Sequence, residues 1–147
     1  MKVYAENKRA RFDYEILETF EAGIELIGTE VKSIRSGRVN LAGAFAVPLE
    51  GGISLINVDI PPFQPKNTPE EYNAERSRRL LLSKKEIAYL IGKAKAERLT
   101  IIPIKLYSKG PYIKLELALT RSKKKADKRE TIKKREVKRE IARKLKI

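Results

Sequence analysis

The chain has 147 residues, with 33 Lys+Arg against 19 Asp+Glu, a formal net charge of +14 and a hydrophobic share of 41%. That length holds one core and one domain of ordinary size. The lack of Cys and His excludes disulfides, thiol nucleophiles, His bases and His/Cys metal sites, and no apolar run approaches the ~20 residues of a membrane span.

The N-terminus, MKVYAENKRARFDYE, has no apolar stretch before a small-residue cleavage site, so no secretory signal is expected. A cytoplasmic protein with a polyanionic partner is the starting expectation. Asn7-Lys8-Arg9-Ala10-Arg11-Phe12-Asp13-Tyr14 sets basic residues beside aromatics at the start of a first strand. It reads either as a phosphate-binding edge with a stacking ring or as a solvated strand with Phe12 or Tyr14 in the core.

Phe12–Phe20 and Gly23–Gly28 read as strands, with Glu21-Ala22-Gly23 at their junction. A carboxylate there is a solvated turn residue or an acceptor for a base amino group or ribose hydroxyl. A short helix is expected from about Glu30 to Ser36, with Thr29 as N-cap and Gly37 as the stop. Val39–Pro48 and Ile53–Ile60 read as strands about a tight Gly51-Gly52 turn. In the second, the apolar phase slips between Leu55 and Val58, which predicts a bulge.

Pro61 to Leu80 carries Pro61, Pro62, Pro65 and Pro69 and reads as an irregular loop of the functional kind. It ends in Arg76-Ser77-Arg78-Arg79, either a phosphate grip or Arg stems covering apolar surface. Ser83-Lys84-Lys85-Glu86 is a capping box for a helix that buries Ile87, Leu90, Ile91 and Ala94. Residues 101–120 alternate as a hairpin about Ser108-Lys109-Gly110-Pro111, with Pro103 at an edge or bulge. Six short strands in ~110 residues predict a mainly β chain with a small closed or sandwich-like antiparallel sheet.

The charge is uneven. Residues 121–147 hold 14 Lys/Arg and 4 Asp/Glu, whereas residues 1–120 hold 19 and 15. Val137, Ile141 and Leu145 recur every fourth residue among Lys123-Lys124-Lys125, Lys128-Arg129 and Lys133-Lys134-Arg135. This stripe is too thin to hold a helix to a core, so the tail is expected to be partly disordered when free and to order against a polyanion. It lacks Trp, Phe and Tyr to anchor it in a bilayer surface, so nucleic acid ranks ahead of membrane. No Gly-rich phosphate loop, nucleophile elbow or acidic metal cluster is present. An enzyme is not expected, and no cofactor or metal site is read.

The motifs go further. Asn7-Lys8-Arg9-Ala10-Arg11, Phe20-Glu21-Ala22-Gly23, Gly28-Thr29-Glu30-Val31-Lys32-Ser33 and Val39-Asn40-Leu41 resemble the N-terminal half of the SsrA-binding protein family (small protein B, SmpB). Arg79-Leu80-Leu81-Leu82, Pro103-Ile104-Lys105-Leu106-Tyr107, and Asp127-Lys128-Arg129 with Ile132-Lys133-Lys134-Arg135 resemble its second half and tail. The resemblance implies an oligonucleotide-binding (OB) type β-barrel over residues 1–120 with two or three added short helices, followed by a basic tail over 121–147.

It also implies a monomer that binds the tRNA-like domain of transfer-messenger RNA (SsrA), with a tail that becomes helical on the rRNA of the small ribosomal subunit, in trans-translation. By the same resemblance the RNA contacts include Asn7, Lys8, Glu21 and Leu81. Arg9, Arg11, Phe12, Gly23, Arg76, Arg78 and Arg79 complete the expected RNA-binding set. Lys123, Lys124, Lys125, Asp127, Lys128, Arg129, Ile132, Lys133, Lys134 and Arg135 make up the expected ribosome-binding tail. Phe12, Ser83, Ser122 and Val137 depart from the commoner family residues. A small basic ribosomal protein and a general RNA chaperone are the alternatives.

Overall fold

The structure, a computed structural model, describes residues 1–64, 66, 71–123, 135, 136 and 139. Seven strands and three helices follow one another as β1 (Val3–Glu6), α1 (Ala10–Asp13), β2 (Tyr14–Ile24), α2 (Gly28–Arg35), β3 (Phe45–Leu49), β4 (Gly52–Ile56), β5 (Arg78–Leu81), α3 (Lys84–Glu97), β6 (Thr100–Lys109) and β7 (Tyr112–Ser122). All pairings between strands are antiparallel, in the order β1-β6-β3-β4-β5-β2-β7, and β7 also pairs with β6. Six strands therefore close on themselves, which removes the open sheet edges. β1 lies beside β6 beyond the end of β3, through Glu6↔Lys105 and Val3↔Tyr107.

The barrel interior is filled by Ala22, Leu55, Leu80, Ile101, Leu106, Leu115, Leu117 and Leu119, with Leu90 of α3 and Ile34 of α2 packed into the same cluster. A second cluster, Ala10, Ile102, Ile104 and Ala118, lies under α1 with Tyr14, Ile16 and Phe45. β6 serves both clusters because its register against β7 shifts between Pro103 and Lys105. That shift is the bulge expected at Pro103, which has no N–H to give a ladder.

The capping box forms as expected: the Ser83 hydroxyl accepts from the Glu86 N–H at 3.2 Å. Gly37 stops α2 with φ +82, a left-handed conformation that costs Gly little. α2 begins earlier than expected, at Gly28, so the N-cap position falls on Ile27 rather than Thr29. Ile27 offers no side-chain acceptor, and its own N–H is bound by the Glu30 carboxylate at 3.0 Å.

Other boundaries differ for physical reasons. The two strands expected over 12–28 are one, and Glu21–Gly23 lies inside it, paired with β7 through Glu21↔Glu116 and Gly23↔Lys114. Phe12 belongs to α1. Of Val39–Pro48, only the last four residues lie in a strand, β3 (Phe45–Leu49), and Asn40 makes an isolated bridge to Asp59. The β3–β4 register is unbroken, so the apolar slip in 53–60 is not a bulge. The strand ends at Ile56 and Asn57 turns the chain with φ 60, a conformation Asn tolerates. The hairpin turn lies at Glu50-Gly51, both with positive φ, and Gly52 already belongs to β4. β1 and β5 have no counterpart among the expected strands.

Candidate nucleic-acid interface

Side chains alternate across a strand, and the outer face of β5, β2, β7 and β6 collects four of the expected contacts, Glu21, Gly23, Arg79 and Leu81. At one end of this face is Leu81. β5 places Leu80 inward at 2% exposure and Leu81 outward at 51%. Leu81 lies opposite Gly23 in the β2–β5 register. A Cβ on Gly23 would sit 3.1 Å from the Leu81 Cβ, so glycine is what lets the Leu81 side chain lie down on β2. Together they border a 250 Å³ concavity with Leu26, Val31, Arg35 and Tyr112. The Tyr112 ring is 66% exposed, and the Lys114 ammonium lies 5.7 Å from its centre.

One step along the same face is Glu21. Its carboxylate accepts from the Tyr107 hydroxyl at 2.7 Å and from the Lys109 ammonium at 3.0 and 3.3 Å. These bonds, Tyr107 first and Lys109 next, hold the Glu21 carboxyl below the ordinary carboxylate range. Burial, then the Glu21 carboxylate, push the Tyr107 hydroxyl up.

Further along, α1 covers the second apolar cluster. The Asn7 side chain donates to the Pro103 carbonyl at 3.1 Å and its N–H to the Ile104 carbonyl at 2.7 Å. Asn7 thus ties the loop before α1 to the bulge of β6. Lys8, Arg9 and Arg11 are exposed. The Phe12 ring carries two guanidinium neighbours, Arg9 at 4.9 Å and Arg135 at 5.8 Å. Lys123 donates its N–H to the Asp13 carbonyl at 3.0 Å and its ammonium to the Arg11 carbonyl at 2.8 Å. β7 runs through Ser122, past the expected boundary at 120, and Lys123 fastens its end to α1. Lys124, Lys125, Asp127, Lys128, Arg129, Ile132, Lys133 and Lys134 lie outside the described residues.

The expected three-cation grip at Arg76–Arg79 needs correction. Arg78 is 0% exposed, pointing inward by the same alternation that exposes Arg79 and Leu81. It binds the buried carboxylate of Glu30 through Nε at 3.0 Å and through Nη2, and its Nη1 donates to the Val58 and Arg76 carbonyls at 2.9 and 2.8 Å. Arg76 Nη2 and the Tyr72 hydroxyl also bind Glu30. Burial raises the Glu30 carboxyl pKa, but the Ile27 N–H and both guanidiniums outweigh it, and the net shift is downward. Arg78 is therefore withdrawn as an RNA contact, because no phosphate can reach it. Its work is to pin the segment after β4 onto α2. Arg79 remains exposed, with its guanidinium over Gly52.

The sequence reading missed Lys105, Tyr107, Lys109, Tyr112 and Lys114 on this face. Alternation beyond the shift at Pro103 carried the signal, since Lys105 and Tyr107 fall out of phase with the inward Leu106. Among the described residues no helix is long and apolar enough to cross a membrane, and no group of His, Cys, Asp and Glu could hold a metal ion.

The family model for SmpB protein matches residues 4–147. The chain is 49% identical over 146 residues to the SsrA-binding protein of Synechocystis sp., covering 99% of this chain and 95% of that protein. It is 50% identical over 142 residues to the SsrA-binding protein of Gloeobacter violaceus, covering 97% and 93%. A solved chain described as "tmRNA-SmpB: a journey to the center of the bacterial ribosome" has 46% sequence identity and a TM-score of 0.68, over 85% of this chain and 87% of that one. The body and the basic tail are matched together, and the chain belongs to the SmpB family of SsrA-binding proteins.

Proposed function

We propose that this chain is the adaptor that binds the tRNA-like domain of transfer-messenger RNA and delivers it to stalled ribosomes for tagging of the nascent chain. It acts by recognition and positioning rather than by catalysis, as a cytoplasmic monomer. The observation that carries this reading is the family match across residues 4–147, which takes in both barrel and tail. The geometry agrees with it. Leu81 and Tyr112 offer exposed apolar contact on the outer face, Lys114 and Arg79 flank it, the turn before α1 adds Lys8 and Arg9, and α1 adds Arg11. Single-stranded and folded RNA is held by this mixture of cations and aromatic or apolar platforms. The tail supplies a second, cationic arm that orders on rRNA, where charge neutralisation offsets the ordering cost.

The test is competition binding by the full chain. Transfer-messenger RNA should displace a labelled tRNA-like domain far better than an unrelated tRNA does. Equal displacement by both would identify a general RNA chaperone instead. Removing residues 124–147 leaves β7 and the Lys123 anchor intact, so this truncation should keep RNA affinity within a few-fold and abolish tagging in a reconstituted translation assay.

A further inference from the structure

The outer face of β6, β7 and β2 carries a row of charges of which the adaptor reading gives a role to Glu21 alone. Glu21 and Glu116 are direct neighbours across β2 and β7, and Glu116 and Lys105 are direct neighbours across β7 and β6. Like charges side by side on a sheet repel. Each carboxylate here has its own lysine, Lys109 on Glu21 at 3.0 Å and Lys105 on Glu116 at 3.5 Å. The row borders a 690 Å³ concavity with Tyr107, Ser108 and Gly110. Met1 closes one side of it, where the backbone of Lys2 exchanges two hydrogen bonds with Ser108. Lys105 and Lys109 line the concavity with the two glutamates, and the charge of Lys114 also acts on Glu21.

Within it the roles differ. One Glu21 oxygen accepts from Lys109, and the other from Lys109 and Tyr107. Three of the carboxylate's about four acceptor sites are engaged, so Glu21 has little left to offer an RNA donor. Lys109 is held by Glu21 yet has a 65% exposed side chain. An ammonium has three donors, so its outward side remains available to a phosphate as a fixed point charge.

We infer that Lys109, at the tip of the β6–β7 hairpin, is a phosphate contact for the folded RNA, and that Glu21 is a positioning residue that acts through it rather than by touching the RNA. This rests on the adaptor reading and names a contact within it. Lys105 and the ring of Tyr107, 5.5 Å from the Lys105 ammonium, form the floor of the site.

The experiment titrates the full-length protein with transfer-messenger RNA across a salt series from about 50 to about 200 mM. Lys109→Glu should weaken binding about tenfold at the lower salt, and Lys109→Ala should flatten the slope of log affinity against log salt by about 1. Lys109→Arg should restore both. Glu21→Gln should weaken the parent protein but have no further effect on Lys109→Ala. Unchanged affinity and slope in the Lys109 variants would overturn the contact. Additive losses from Glu21→Gln and Lys109→Ala would overturn the positioning role and make Glu21 a direct contact. If the parent protein fails to bind this RNA at all, the adaptor reading falls with the inference; if it binds and the Lys109 variants match it, the inference alone falls.

Discussion

Two glutamates in this molecule have matching partners and opposite surroundings. Glu30 is bound by Arg76, Arg78 and the Tyr72 hydroxyl, and is buried. Glu21 is bound by Lys109 and the Tyr107 hydroxyl, and is exposed on the barrel wall. Both carboxyls lie below their ordinary range, Glu21 through the Tyr107 hydroxyl and Lys109, and Glu30, against its burial, through the Ile27 N–H and the two guanidiniums. Burial decides what the arrangement is for. Away from water an unpaired charge is very costly, so the partners around Glu30 become interdependent and lock the fold. At the surface solvent screens each pair, so little stability is at stake and the lysine can be offered to a ligand. The cations match this division. Planar, many-donor guanidiniums serve the buried carboxylate and reach backbone carbonyls as well, while an adaptable ammonium stands at the surface.

The largest way to break this comparison is Arg78→Ala. Glu30 would lose its fully buried cationic partner, and the Val58 carbonyl its Arg78 donor. A loss of about 3–5 kcal/mol is expected in urea unfolding at neutral pH; a loss no larger than that of a surface ion pair would place Glu30 in the same class as Glu21.

The next effect is on pH. The Glu30 carboxyl is lowered in the folded chain, so its contribution is present above the unfolded value of about 4.3 and is lost as pH falls through the lower folded value. The stability penalty of Glu30→Gln should therefore be large at pH 6 and shrink toward pH 3, as the parent carboxyl itself becomes neutral. A penalty constant across that range would show that charge is not what Glu30 contributes.

The smallest effect sharpens the contrast. The Tyr72 hydroxyl bonds both Glu30 and the Ile60 carbonyl, and Tyr72→Phe should cost about 1 kcal/mol. Glu21→Gln should leave the melting temperature unmoved while weakening RNA binding. A clear drop in melting temperature for Glu21→Gln would mean that the exposed cluster also serves the fold.

Local chemistry was legible in the sequence. The Ser83 capping box, the Gly37 stop, the turn at Gly110 and the disturbed ladder at Pro103 each depend on a few consecutive residues, and each is found in the structure. Alternation gives the outward direction of Lys105 and Tyr107 beyond the shift, but not that of Ile102 and Ile104 before it. Asn7 and Glu21 were singled out by family resemblance, but what they bind was not visible. The Asn7 amide meets Pro103 across the chain, and Glu21 meets Lys109, a separation of 88 residues.

Residue order and composition suffice for the division into a nearly neutral body and a strongly cationic tail, for the strands of the body and for the family. Which of three neighbouring arginines is buried follows from how the strands meet. β5 is four residues long, too short to announce its phase, and its alternation is set by β4 on one side and β2 on the other. Side-chain direction in so short a strand comes from its partners, and with it comes the difference between a charge that holds the barrel together and one that faces the solvent.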